Sequence, residues 1–180
     1  MMVSTTRLLL LDANVLIDYR ESNFSILVLA DKHLGTVHIL TPILAEVKGI
    51  TDEMCEKKGL TVIEPELEQL LLASKRKGSL SFNDSLCLIV ADADGYTCVT
   101  NDRALRKACV EMGVPTIWGL EIMTELVRCR AMTAEVAMGV AEKIHVVNPH
   151  HIPRNLIDRF RLAVTQAAEE AKKGSKANGS

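Results

Sequence analysis

Aromatic side chains are scarce in this chain: one Trp, two Tyr and three Phe make up 3% of its 180 residues. The core must therefore be aliphatic, and the shortage argues against a row of stacked aromatics for gripping unpaired bases. Charge of one sign is lacking as well. The formal net charge is −2, so bulk electrostatics carry no basic signature of nucleic-acid binding, although clustered carboxylates can conceal a modest basic rim. Paired cysteine spacing is missing too. Cys55, Cys87, Cys98, Cys109 and Cys129 contain no C-x-x-C, and an odd number scattered through apolar stretches reads as reduced, buried thiols in a cytoplasmic protein. The N-terminal apolar run is cut by Asp12 and Asp18 and has no small-residue cleavage site. Neither a signal peptide nor a membrane span is expected there. The chain has no internal repeat.

What is present is globular: 48% apolar and 24% charged residues, enough for one domain of ordinary size with a real core. Short, nearly all-apolar runs at Arg7–Leu11, Thr36–Leu40, Leu60–Ile63, Thr97–Thr100 and Thr116–Trp118 have the character of strands covered on both faces. Helical patterns lie between them, near Phe24–His33, Pro42–Lys57, Glu66–Lys77, Asn83–Asp94 and Arg103–Met112, with Gly35, Gly59, Gly95 and Gly113 just past several helix ends. Such alternation predicts right-handed βαβ units and a mostly parallel sheet with helices on both sides. The fold class is thus α/β, a three-layer α/β/α sandwich.

The stretch after residue 127 differs in kind. Thr133 is placed to cap one helix, Asn148-Pro149-His150-His151-Ile152-Pro153 interrupts it, and Arg154–Lys173 makes a second. This divides the chain into a main domain at 1–127, a helical appendage at 128–173 and a flexible tail at 174–180. His145, His150 and His151 surround the Pro-rich interruption without a nearby carboxylate pair and read as an ordinary turn. Trp118 reads as core or interface filler.

Four acidic residues stand where a strand hands over to a helix. Asp12 ends Leu8-Leu9-Leu10-Leu11, and Glu46 follows Thr41-Pro42, where Thr41 is a natural cap and Pro42 suits the first helical position. Asp84 sits in Ser81-Phe82-Asn83-Asp84, the shape of a capping box with Asp in place of Glu. Asp102 follows Cys98-Val99-Thr100 and can cap the helix that starts at Arg103. In a parallel sheet all four positions open on the carboxyl edge of the strands, where ligands bind. Four carboxylates on one edge raise one another's pKa unless something positive lies between them. An all-oxygen set without Cys or His suits Mg2+ or Mn2+ better than zinc. Two such ions about 4 Å apart can activate a water and stabilise the leaving oxygen of a phosphodiester. Asn14 and Thr100 flank the acids and are placed to hold a carboxylate by hydrogen bond. Asp18, Asp92 and Asp94 read as solvent-facing or capping acids.

Leu10-Leu11-Asp12-Ala13-Asn14-Val15-Leu16-Ile17-Asp18, Thr41-Pro42-Ile43-Leu44-Ala45-Glu46, Leu80-Ser81-Phe82-Asn83-Asp84 and Val99-Thr100-Asn101-Asp102 follow one another in the order seen in PIN domains. From about residue 7 to 127 the chain resembles that family, in particular the VapC-type toxins of toxin–antitoxin modules. The resemblance implies a metal-dependent endoribonuclease in which Asp12, Glu46, Asp84 and Asp102 hold Mg2+ or Mn2+, with Asn14 and Thr100 as the polar positions beside them. It also implies single-stranded or looped RNA as substrate, a homodimer, and an antitoxin protein as partner. Ala13 stands where many relatives carry a hydroxyl residue, and the helical appendage is absent from the compact toxins.

Arg103, Arg106 and Lys107 beside Asp102, and Lys48 beside Glu46, are the candidates for contacting an RNA backbone. Lys75-Arg76-Lys77 reads as a solvated helix end. Two other functions compete. Leu11-Asp12-Ala13-Asn14 resembles the opening of haloacid-dehalogenase phosphatases, but Asn14 cannot serve as the general acid of their D-x-D. A non-catalytic nucleic-acid-binding or scaffold protein on the same fold is the other alternative.

Overall fold

The computed structural model describes residues 7–177. Five strands form one sheet: β1 (Leu8–Leu11), β2 (Thr36–Leu40), β3 (Thr61–Ile63), β4 (Thr97–Val99) and β5 (Thr116–Ile117). Their order is β3-β2-β1-β4-β5, and every neighbouring pair is parallel. Each expected strand matches within one residue at either end. The reason is visible in β1, where Leu9, Leu10 and Leu11 are all fully buried. Side chains on both faces of that strand leave water, so an unbroken apolar run rather than an alternating one marks it.

The chain leaves β1 through α1 (Ala13–Ser22) and α2 (Ser25–His33) to β2, and from β2 through α3 (Thr41–Glu46) and α4 (Asp52–Lys57) to β3. It then returns to β4 through α5 (Leu67–Lys75) and α6 (Phe82–Asp94), and reaches β5 through α7 (Arg103–Met112). The strand order therefore reverses between β1 and β4, the position where a doubly wound sheet opens a crevice at its carboxyl edge. After β5 come α8 (Glu121–Arg128), α9 (Ala134–Val147) and α10 (Arg154–Ala177). On one side α1 touches α2, α3 and α9, while α2 meets α8; on the other, α6 touches α5 and α7. This is the expected three-layer α/β/α sandwich.

Three local expectations need correction. The helix expected over Pro42–Lys57 is two helices, because Gly49 turns with φ +80° and Thr51 starts a new helix by accepting from the Met54 N–H at 3.2 Å. Gly is the residue that reaches such a φ without strain. Thr41 is the first helical residue of α3 rather than its cap, and its hydroxyl donates to Glu64 Oε2 at 2.8 Å instead. The tail expected from residue 174 is helical through Ala177, the end of α10; the rest of that expected tail, 178–180, lies outside the described residues. Arg130 bonds the Ala171 carbonyl and ties this last part of α10 to the turn before α9.

The two C-terminal helices lie on the sandwich, α10 along α8 and α9 against α1. Their buried residues Ile144, Ile157, Phe160 and Val164 belong to the same apolar cluster as Leu9 and Leu16. His145 falls inside α9, not in the turn, and its Nδ1 lies 2.7 Å from the Ile152 carbonyl, closing the Pro-containing connection. Among the described residues, no helix is long and apolar enough to cross a membrane.

Candidate active site at the carboxyl edge of the sheet

Asp12 is where β1 ends. Its backbone N–H still donates to the Val99 carbonyl at 3.1 Å, in ladder with β4, while its side chain already caps α1 by accepting from the Val15 N–H at 2.7 Å. The second carboxylate oxygen accepts from the Thr100 hydroxyl at 2.5 Å. The group is 1% exposed. Burial pushes its pKa up to about 7, the hydrogen bonds from Thr100 and Val15 pull the other way, and the charges of Asp84 and Asp18 push it up further. A carboxylate taken from water is costly unless it gains a positive partner, and no cation figures among the groups that shift this one.

Thr100 joins two of the four acids. Its oxygen donates to Asp12 and accepts from the Asp102 backbone N–H at 2.9 Å. Asp102 in turn caps α7, with Oδ1 accepting from the Leu105 N–H at 2.7 Å, as the position after β4 leads one to expect. The ends of β1 and β4 and the starts of α1 and α7 are thus linked through one hydroxyl.

Asp84 stands in the first turn of α6. Ser81 Oγ accepts from the Asp84 N–H at 3.1 Å and donates to its carboxylate at 2.7 Å. Half of the anticipated capping box is formed, with the acid facing the cap hydroxyl instead of the cap N–H. Glu46 is the exposed last residue of α3. Cys87 shows how these acids converge: its buried thiol on α6 faces the Leu11 carbonyl at 4.0 Å, and it is pushed up by burial and then by the charges of Asp12, Asp84 and Glu46 among others.

The side chains are engaged locally. Among the described residues, no three His, Cys, Asp or Glu groups are gathered as a metal-holding cluster. The donor chemistry nevertheless suits a hard cation: oxygens from Asp12, Asp84 and Asp102, a buried carboxyl held near neutrality, and Asn83 Oδ1, a buried acceptor beside Asp84 with no hydrogen-bond partner among the described residues. Asn14 is half-buried on α1. Thr100 makes the kind of contact anticipated for it; the structure gives no such contact for Asn14.

Of the basic candidates, Arg103 and Lys107 are exposed on α7, and Lys107 lies 3.8 Å from Glu111. Arg106 stacks on Trp118, its guanidinium carbon 4.4 Å from the ring centre, so Trp118 is only half-buried and works as a platform for that cation. Lys48 is exposed in the α3–α4 connection.

Asp18 corrects the sequence reading. It is 4% exposed, not solvent-facing, and accepts from Asn101 Nδ2 and Asn148 Nδ2, each at 3.0 Å. Asn101 Oδ1 accepts from the Gly119 N–H at 2.9 Å, and the Tyr19 hydroxyl donates to the Gly119 carbonyl at 2.6 Å. A Cβ at Gly119 would meet Asn101 Nδ2 and Val15 Cγ2 at 2.8 Å, so a larger residue there would have to displace one of these side chains. Burial raises the Asp18 pKa, while the two amides and the charge of His151 lower it. The one signal in the sequence was an acid inside the apolar run Val15-Leu16-Ile17-Asp18-Tyr19; nothing there names the distant amides that receive it. Asp92 and Asp94 are exposed, as expected.

No protein-family model matches the chain, and no curated protein matches it.

Proposed function

We propose that this chain is a metal-dependent endoribonuclease of the PIN type, hydrolysing RNA phosphodiesters with Mg2+ or Mn2+ held by Asp12, Asp102, Asp84 and Glu46. The observation that carries the reading is the Asp12–Thr100–Asp102 link at the point where the strand order reverses, with the charges of Asp84 and Glu46 reaching the same corner. A divalent cation there would supply an activated water and stabilise the charge on the leaving oxygen. The chain's own contribution is orientation. Val15 and Thr100 fix both oxygens of Asp12, and Leu105 fixes one of Asp102, so the carboxylates meet the cation in set directions. Water adds to phosphorus, the bond to the leaving oxygen breaks, and the products are a phosphomonoester and an alcohol.

The test is Asp12→Asn, an isosteric change that keeps the acceptor for Val15. The purified variant should keep the parent's circular dichroism and lose cleavage of a single-stranded RNA by at least about a hundredfold, in line with removal of a group that stabilises transition-state charge. Undiminished Mg2+-dependent cleavage by the folded variant would rule the assignment out.

A second reading rests on a specific observation: Asp84, Asp102 and Asp12 already accept hydrogen bonds from Ser81, Leu105 and Val15. A non-catalytic nucleic-acid-binding or scaffold protein would look the same. Calorimetric titration with Mn2+ separates the two, since a scaffold with no divalent affinity gives no heat. The toxin role, with an antitoxin as partner and a homodimer as the assembly, is the finer form of the proposal. Co-purification of the chain with the product of an adjoining short reading frame is its check.

A further inference from the structure

A groove of about 790 Å³ runs between α7 and α10, beginning at Asn101 and Arg103, the neighbours of Asp102. Arg103, Arg106 and Lys107 enter it from α7 and Arg159 from α10. Residues spaced three and four apart share one helix face at about 5–6 Å, so the α7 cations form a row leading away from the acid edge. Two acids also line the groove, Glu111 and Glu121. Glu111 is the exposed partner of Lys107, and Glu121 accepts from the Trp118 backbone N–H at 2.5 Å.

Of the groove's four cations, Lys107 has Glu111 at 3.8 Å, and among the described residues the three arginines have no such partner. Elsewhere on the C-terminal helices, arginines are matched: Arg154 and Arg161 with Glu142 at 2.7 and 3.3 Å, and Arg128 with Glu125 and Glu170. Among the described residues, no carboxylate pairs with Arg103, Arg106 or Arg159. One guanidinium nitrogen of Arg106 is buried without an acceptor, a state that costs the group its desolvation. A chain of net charge −2 thus places three arginines without a carboxylate partner along one groove, beside Lys107 and two acids.

We propose that the α7–α10 groove holds the phosphate backbone of single-stranded RNA that flanks the segment at the acid edge. This rests on the ribonuclease reading and adds to it the surface that C-terminal helix α10 contributes. Phosphate oxygens face Arg103, Lys107, Arg159 and the accessible part of Arg106, so affinity here is electrostatic and independent of base identity. RNA is favoured over an acidic protein segment because Asn101 and Arg103, on either side of Asp102, line the groove, so a strand bound there would pass the acid edge.

The test uses the full chain, a labelled oligouridine as probe, and EDTA, so that binding is read without cleavage. Arg103→Glu with Arg159→Glu should weaken binding about tenfold or more and flatten the dependence of log affinity on log salt by about 0.7 per lost phosphate contact. Arg161→Glu, on a charge already matched, should stay close to the parent. If the double reversal does not fold, Arg159→Gln alone carries the same expectation at reduced size. Unchanged affinity and salt slope in the folded variants overturn the proposal. So does tighter binding of an oligoglutamate peptide than of RNA, lost in the same variants. Binding in the groove with no cleavage by the parent refutes the nuclease alone; cleavage with no contribution from the groove refutes the groove alone.

Discussion

Asp12 and Asp18 are both buried, lie at the start and in the body of the same helix, and are held in opposite ways. Burial raises the pKa of Asp18 as it does that of Asp12, but Asp18 accepts from two side-chain amides, and these and the charge of His151 act against the rise. Its surroundings are complete within the protein, and they join α1, the residue before Asp102, and the connection before α10. Asp12 has one backbone N–H, one hydroxyl and two other acids nearby. The first arrangement fixes structure. The second leaves a buried carboxyl beside two other acids, the arrangement on which the proposed cation site rests.

The largest consequence is in the dependence of stability on pH. Asp12 has its folded pKa pushed up to about 7 from 3.8, so between these values the folded state binds a proton that the unfolded state has released. Stability without divalent ion should therefore be greatest at the acid end and fall as pH rises from about 4 to about 7, levelling above that. A shift of this size corresponds to a loss on the order of 4 kcal/mol. Urea unfolding at pH 5 and pH 8 in EDTA measures it. Asp12→Asn should flatten the profile, and Mn2+ should recover stability most at the alkaline end, where no proton competes. A parent profile as flat as the variant's would erase the contrast with Asp18.

Asp18→Asn is the complementary break and the next in size. The change sets an amide against the amides of Asn101 and Asn148 and removes two charge-assisted hydrogen bonds, each worth ~1.5–3 kcal/mol. A loss of about 3 kcal/mol in urea unfolding is expected, largely independent of divalent ion. Asp12→Asn at pH 8 should instead leave the apoprotein as stable as the parent or more so. Equal losses in the two variants would mean that both acids are structural.

How much of this contrast was legible follows from the range of the forces involved. Asp12, Asp84 and Asp102 carry local signals, an apolar run ending in an acid or a Ser three residues before one, and they sit at helix starts as read. β1 was legible because burial on both faces writes itself as four consecutive Leu, and β2 and β4 as short, mostly apolar runs around Val37, Ile39 and Val99. Asp18 was misread because its partners come from Asn101 and Asn148, far along the chain, and an acid looks alike in sequence whether water or two amides receive it. The break at Gly49 lost to helix periodicity, which registers apolar spacing better than a single residue with positive φ. The contrast between matched and unmatched arginines on α10 was out of reach for the same reason: Glu142 is recognised as the partner of Arg154 and Arg161 only once the helices have packed.

Thr100→Val gives the smallest and finest test, because it changes one contact on Asp12 and leaves the carboxyl in place. The substitution keeps the side-chain shape, strands one oxygen of Asp12 and the Asp102 N–H, and should cost about 1–2 kcal/mol. Thr100 is among the groups that lower the Asp12 pKa, so without its hydroxyl the carboxyl holds its proton to higher pH. Mn2+ affinity followed by calorimetry across pH should then rise at a more alkaline midpoint than in the parent. Thr100→Ser, which restores the hydroxyl without the methyl, should bring the midpoint back while leaving part of the packing loss. A simple structural role predicts a drop in stability with the midpoint unmoved. The shift, and its reversal by Ser, therefore measures how far a single hydroxyl makes Asp12 resemble its fully satisfied neighbour.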